Sequence, residues 1–201
     1  MVEALSIARS ELILGGQKSG KSRRAEWLAK TWLAASPQHK ATLIATGQAW
    51  DEEMHQRIAR HQRERAERVP GLQTLEEPRL LAEAIAAHSR PDTLLVVDCL
   101  TLWLTNWLIP FEPAAASTSE SNRVVVPDVS APTAMLLGAI RNAPGPLVLV
   151  GNEIGLGVIP MGREVRAFVD ALGSLNQDVA QACARVTLMA AGLPLTLKGT
   201  A

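Results

Sequence analysis

Short, unbroken apolar runs recur along this chain, separated by longer stretches in which apolar residues return every three or four positions. The runs are Leu12–Leu14, Ala41–Ala45, Thr93–Val97 and Leu147–Val150. Continuity rather than alternation predicts strands buried on both faces, as in a parallel sheet covered by helices on either side. Between the runs the spacing predicts helices over about Arg23–Leu33, Glu52–Arg68, Arg79–Ala87 and Ala134–Arg141. A long helix is expected after the fourth run, with Val165, Phe168, Val169, Leu172, Val179, Ala180 and Cys183 on one stripe. Two more strands are expected at Arg185–Ala190 and Leu193–Lys198, around Gly192-Leu193-Pro194. Strands alternating with helices predict a three-layer α/β fold with a mostly parallel sheet.

One stretch breaks the pattern. From Ile109 to Pro132 the residues are largely Pro, Ala, Ser and Thr with no clear period, which predicts a long surface loop. The fourth strand follows too soon for two independent cores, so residues 1–201 are expected to form a single domain containing that loop.

Composition narrows the function. Twenty basic and twenty acidic residues cancel, giving no general attraction to nucleic acid or anionic membrane. With no tyrosine and two phenylalanines, a stacking platform for single-stranded nucleic acid is not expected. Cys99 and Cys183 lie in apolar surroundings without C-x-x-C spacing and read as small core residues of a reducing compartment. Met1–Ser10 contains Glu3 and Arg9 and no long apolar segment, so neither a signal peptide nor a membrane span is expected there. A cytoplasmic protein is the simplest expectation.

The densest chemistry follows the first apolar run. Gly15-Gly16-Gln17-Lys18-Ser19-Gly20-Lys21-Ser22 fits G-x-x-x-x-G-K-[ST], with a strand leading in and a helical pattern leading out. Glycines let successive backbone N–H groups point at phosphate oxygens, and the helix N-terminus adds its positive dipole end. Lys21 can then reach the β/γ-phosphates, and the Ser22 hydroxyl can ligate Mg²⁺. The alternative is a glycine-rich turn that binds nothing; strand, loop, lysine and hydroxyl in register favour a nucleoside triphosphate. Asp98 ends the third run, where a carboxylate holds Mg²⁺ in such proteins, against the reading of a simple helix cap.

Three further features are less decided by spacing. His61 has Arg57 four residues before it and Arg65 four after it, a face that would favour the neutral imidazole and attract polyphosphate. Imidazole can attack phosphorus, yet spacing alone leaves a solvated histidine on a charged helix as the simpler reading. Asn152-Glu153 follow the fourth run and should emerge at the sheet edge where ligands gather. Asn176 falls on the apolar stripe of the long helix, where it either fixes a neighbouring loop or sits at the stripe's edge.

Together the motifs resemble the bifunctional adenosylcobinamide kinase/adenosylcobinamide-phosphate guanylyltransferase family of cobalamin biosynthesis. The likeness runs from the glycine loop through Ile44-Ala45-Thr46-Gly47-Gln48 and Asp51-Glu52-Glu53-Met54 to Arg57-Ile58 and His61. It continues in Thr74-Leu75-Glu76-Glu77-Pro78, Val97-Asp98-Cys99-Leu100-Thr101, Trp103-Leu104-Thr105-Asn106 and Asn152-Glu153-Ile154-Gly155-Leu156-Gly157-Val158-Ile159-Pro160. The resemblance implies a RecA-like P-loop core and association into a homo-oligomer. It implies phosphorylation of adenosylcobinamide by ATP or GTP, then transfer of GMP from GTP to that phosphate through a covalent guanylyl-histidine at His61. Thr46, Gly47, Gln48, Gln62, Arg63, Glu64, Arg65, Glu76 and Asp98 would be further nucleotide contacts. The chain departs from the family in carrying Lys18 for arginine, and in reading His61-Gln62-Arg63-Glu64-Arg65-Ala66 where H-R-x-x-R-P is usual. The rival expectations are a P-loop small-molecule kinase without the guanylyl step, and a RecA-type nucleotide-dependent regulator.

Overall fold

The computed structural model describes residues 7–49, 52–109 and 128–200. In chain order the elements are β1 (Ser10–Gly15), α1 (Lys21–Ala35), β2 (Lys40–Ala45), α2 (Glu52–Arg68), β3 (Leu72–Glu76), α3 (Leu81–His88) and β4 (Thr93–Asp98). There follow α4 (Leu100–Leu108), α5 (Ser130–Asn142), β5 (Leu147–Val150), α6 (Arg163–Ala182), β6 (Arg185–Ala190) and β7 (Leu193–Lys198). The seven strands form one sheet in the order β3-β2-β4-β5-β1-β6-β7. Every pairing is parallel except the final β6–β7 hairpin.

The apolar runs build two cores because a strand's side chains alternate between faces. Leu12, Leu14, Leu95, Val97, Leu147 and Leu149 enter a core with α3, α4, α5 and α6. Ile13, Leu94, Val96, Val148 and Val150 enter the other, against Ala25, Leu28 and Ala29 of α1. The layers therefore follow directly from runs apolar at every position. Cys99 and Cys183 are both buried free thiols, as small core residues should be.

Three differences from expectation have physical causes. β3 is an extra strand: Leu72-Gln73-Thr74-Leu75-Glu76 is short, mostly polar and at the sheet edge, so it lacks a continuous apolar run. α4 is an extra helix whose apolar residues follow β4 so closely that they merge with its pattern. The expected loop also ends early, because α5 begins at Ser130 and holds Pro132 in its first turn, where a missing N–H costs nothing. The rest of that loop, 110–127, lies outside the described residues.

Candidate active site

β1 ends on Gly15, the loop turns over the sheet edge, and α1 starts at Lys21. Two glycines make the turn possible. Gly15 has φ 150°, and a Cβ there would meet the Met189 carbonyl oxygen at 2.5 Å and Ser19 Oγ at 2.6 Å. Gly20 caps α1 in the left-handed conformation at φ 103°. The β6–β7 hairpin braces the loop from outside, with Gly192 N–H donating to the Ser19 carbonyl at 3.0 Å. The Ser19 hydroxyl is buried without a partner among the described residues, an orphan of the kind a phosphate oxygen satisfies. Lys21 is 8% exposed and its Nζ donates to the Gly16 carbonyl at 2.6 Å. Burial pulls its pKa below the ordinary lysine value, opposed by Cys99 and Asp98 nearby.

Asp98 closes β4 beneath this loop. Burial pushes its carboxyl above the usual range, while the Ser22 hydroxyl, donating to it, and the charges of Arg65 and Lys21 pull the other way. Two oxygen donors in contact, one of them a carboxylate whose charge is poorly solvated, fit a hard divalent cation such as Mg²⁺. No group of three or more His, Cys, Asp or Glu residues able to hold a metal occurs among the described residues. A cation here would complete its shell with phosphate and water. Cys99 is no rival nucleophile, since burial pushes its thiol up to about 11 and keeps it protonated at neutral pH.

The α2 helix forms the facing wall. His61 is exposed and lines a cleft of about 580 Å³ with Gln17 and Lys18 of the loop and Glu53, Gln56, Arg60 and Glu64 of α2. That volume suits a small-molecule site. Arg60 joins the site although its chemistry is not marked by the His61 spacing. The signal that finds it is the row Glu53, Gln56, Arg60, Glu64, spaced three and four apart on one helical face.

Arg65 is a correction. Expected to flank His61, it is instead buried, and its Nε lies 3.7 Å from Glu26 Oε1 of α1. Arg68 binds the same carboxylate, with Nε to Glu26 Oε2 at 2.7 Å and Nη2 to Oε1 at 3.1 Å, and its Nη1 reaches Glu64 at 3.2 Å. The fold thus uses these arginines to fasten the helix bearing His61 to the helix of the phosphate loop. The side chain of Arg57, the other expected flank, lies outside the described residues. Glu26→Ala would strand the buried Arg65 cation, and urea unfolding is expected to show a loss of about 3 kcal/mol.

The other expected contacts divide. Gln62 and Glu76 meet each other, Nε2 to Oε1 at 3.1 Å, and tie α2 to the end of β3. Arg63 is exposed on α2, and Gly47 and Gln48 are half-buried after β2. Thr46 is different because it exposes nothing. Its hydroxyl donates to the Cys99 carbonyl at 2.7 Å and accepts from Cys99 N–H at 2.9 Å, so it orders the β4–α4 junction. A nucleotide cannot touch it without rearrangement of that junction. Asn106, Nδ2 to the Thr46 carbonyl at 2.8 Å, completes the same clamp. No helix among the described residues is long and apolar enough to cross a membrane.

A parallel sheet whose inner strand runs through a glycine loop into a helix, with a carboxylate from another core strand at the loop's Ser22, defines a P-loop protein of the NTPase class. Residues 11–197 match the family model described as cobinamide kinase / cobinamide phosphate guanyltransferase. The chain belongs to that family. It is 44% identical over 190 residues to the bifunctional adenosylcobalamin biosynthesis protein CobP of Pseudomonas aeruginosa, covering 94% of this chain and 97% of the relative. It is 33% identical over 187 residues to the bifunctional adenosylcobalamin biosynthesis protein CobU of Escherichia coli K12, covering 93% and 98% of the two chains. Among solved structures, the flagellar accessory protein FlaH of Methanocaldococcus jannaschii aligns with a TM-score of 0.48 at 11% identity, over 95% of this chain and 78% of that one.

Proposed function

We propose that this chain phosphorylates the hydroxyl of adenosylcobinamide with ATP or GTP, then transfers GMP from GTP to the new phosphate, giving adenosylcobinamide-GDP and pyrophosphate. The observation that carries this reading is the shared cleft, where the exposed imidazole of His61 faces the phosphate loop across Gln17, Lys18 and Arg60. A plain kinase has no need of a nucleophile there.

In the first step the loop N–H groups and Lys21 hold the triphosphate and stabilise charge spreading over the transferring phosphoryl group. Ser22 and Asp98 would hold Mg²⁺, which neutralises phosphate charge when bound. In the second step an imidazole nitrogen of His61 attacks the α-phosphorus of GTP. The bond to pyrophosphate breaks and a phosphoramidate forms. A phosphate oxygen of the substrate then displaces the imidazole and takes GMP. Arg60 and Lys18 supply positive charge on opposite sides of the cleft.

Association into a homo-oligomer is part of the reading, supported by the edge strand β7, which exposes Leu193, Leu195 and Leu197. So is a cytoplasmic setting, where ATP and GTP are supplied. The test is product analysis by mass spectrometry. With Mg²⁺, ATP and adenosylcobinamide the protein is expected to make the phosphate, and with added GTP the GDP derivative. Accumulation of the phosphate alone would leave the chain a kinase without the guanylyl step.

A further inference from the structure

Glu153 has no part in the steps above, and its setting is that of a base. Beyond the end of β5 the chain is stitched to the phosphate-loop strand. Gly151 N–H donates to the Ile13 carbonyl at 3.0 Å, and Glu153 N–H to the Gly15 carbonyl at 3.1 Å. Asn152 N–H donates to Thr101 Oγ1 at 2.9 Å. The backbone of Glu153 is therefore fixed against the first residue of the loop that would carry the triphosphate.

Its half-buried carboxylate is fixed as well. Oε1 accepts from Gly155 N–H at 3.1 Å, and Oε2 accepts from Asn176 Nδ2 at 3.4 Å. The same Nδ2 donates to the Asn152 carbonyl at 3.0 Å, which orients the amide. Asn176 is 4% exposed, and its Oδ1 has no partner among the described residues. The amide thus sits within an apolar stripe and presents its donors to Asn152 and Glu153. No ion pair to Glu153 forms among the described residues. Held by two neutral donors, the carboxylate keeps lone pairs for a proton.

The surface beside Glu153 suits a large acceptor that is apolar in part and polar at its edge. Ile154, Leu156, Val158 and Ile159 are exposed in the segment that follows. A cavity of about 480 Å³ opens there, lined by Ile154, Val158 and Ile159 and by Asp170, Ser174 and Gln177 of α6.

We propose that Glu153 is the proton acceptor for the substrate hydroxyl in the phosphoryl-transfer step, with Asn176 as its positioning residue; this rests on the kinase reading above. The substrate oxygen forms a bond to the γ-phosphorus of ATP. The bond from that phosphorus to the β–γ bridging oxygen breaks, and its electron pair leaves with ADP. The hydroxyl proton passes to a carboxylate oxygen of Glu153 and from there to water.

The test compares wild type with Glu153→Gln, Glu153→Asp and Asn176→Ala, using γ-labelled ATP and adenosylcobinamide from acid to alkaline pH. Glu153→Gln is expected to lower kcat about 100-fold or more, with KM for ATP and Tm near wild type, and to lose the fall in rate on the acid side. Glu153→Asp is expected to keep that acid limb at reduced kcat. Asn176→Ala is expected to lower kcat about 10-fold with KM for ATP near wild type, because the carboxylate loses the donor that orients it. A kcat for Glu153→Gln close to wild type, or an acid limb that survives in it, would overturn the assignment. Should Glu153→Gln fail to fold, a Glu153→Asp rate and profile equal to wild type would overturn it. If wild type itself makes no phosphorylated product, the kinase reading falls and this inference with it.

Discussion

His61→Ala protein, incubated with Mg²⁺ and GTP labelled at the α-phosphate and then denatured, is expected to retain no label. Wild type under the same treatment is expected to retain label from the α-phosphate and none from the γ-phosphate. The linkage should survive base and fall to acid, as a phosphoramidate does. GMP transfer to adenosylcobinamide phosphate is expected to drop by about three orders of magnitude or more, since no neighbour can replace a lost nucleophile. Cys99, beside Asp98 at the end of β4, is held protonated by its burial. Kinase turnover should stay largely intact, because Lys21, Ser22 and Asp98 belong to other elements than α2. Equal loss of both activities in a folded variant would contradict a dedicated carrier role. Label on wild type from neither position, in protein that binds GTP, would return His61 to a solvated histidine.

Lys21→Ala is expected to lower kcat for phosphorylation by about 100- to 1000-fold. The ammonium group is almost wholly buried and already sits on the loop's own Gly16 carbonyl, so no side-chain search is needed before it meets a phosphate oxygen. Its value lies in the charge that spreads onto the transferring group, which substrate binding alone does not supply. Initial rates with γ-labelled ATP, set beside ATP affinity from equilibrium binding, separate the two effects. A variant with unchanged kcat would sink the phosphate-loop assignment.

The sheet and its helices were legible because Leu12–Leu14, Leu94–Val97 and Leu147–Val150 are apolar at every position, a pattern that suits strands covered on both faces. The phosphate loop was legible because its glycines, lysine and serine are contiguous. What escaped was set by partners remote in sequence. Arg65 reads as a flank of His61 until Glu26, on another helix, draws it inward. Thr46 reads as a nucleotide contact through the family resemblance, whereas the Cys99 backbone uses its hydroxyl from both sides. Glu153 and Asn176 stand in different elements, and only packing of α6 against the end of β5 makes them one unit. β3 hid because an edge strand needs little apolar character, and α4 because it follows β4 after a single residue.

The bracing of the phosphate loop also fixes an order of events during synthesis. Among the described residues β1 pairs with β5 and β6, both made long after it, and the loop's outer supports, Met189 within β6 and Gly192 just beyond it, are equally late. On the ribosome, Leu12–Leu14 must wait as an unpaired apolar strand while most of the chain is translated, a natural client for a chaperone. A fully braced loop is therefore formed only after β5, β6 and the β6–β7 turn have been made. A message cut short before Gly192 would yield a chain bearing every residue of the motif and a loop without its outer hydrogen bond.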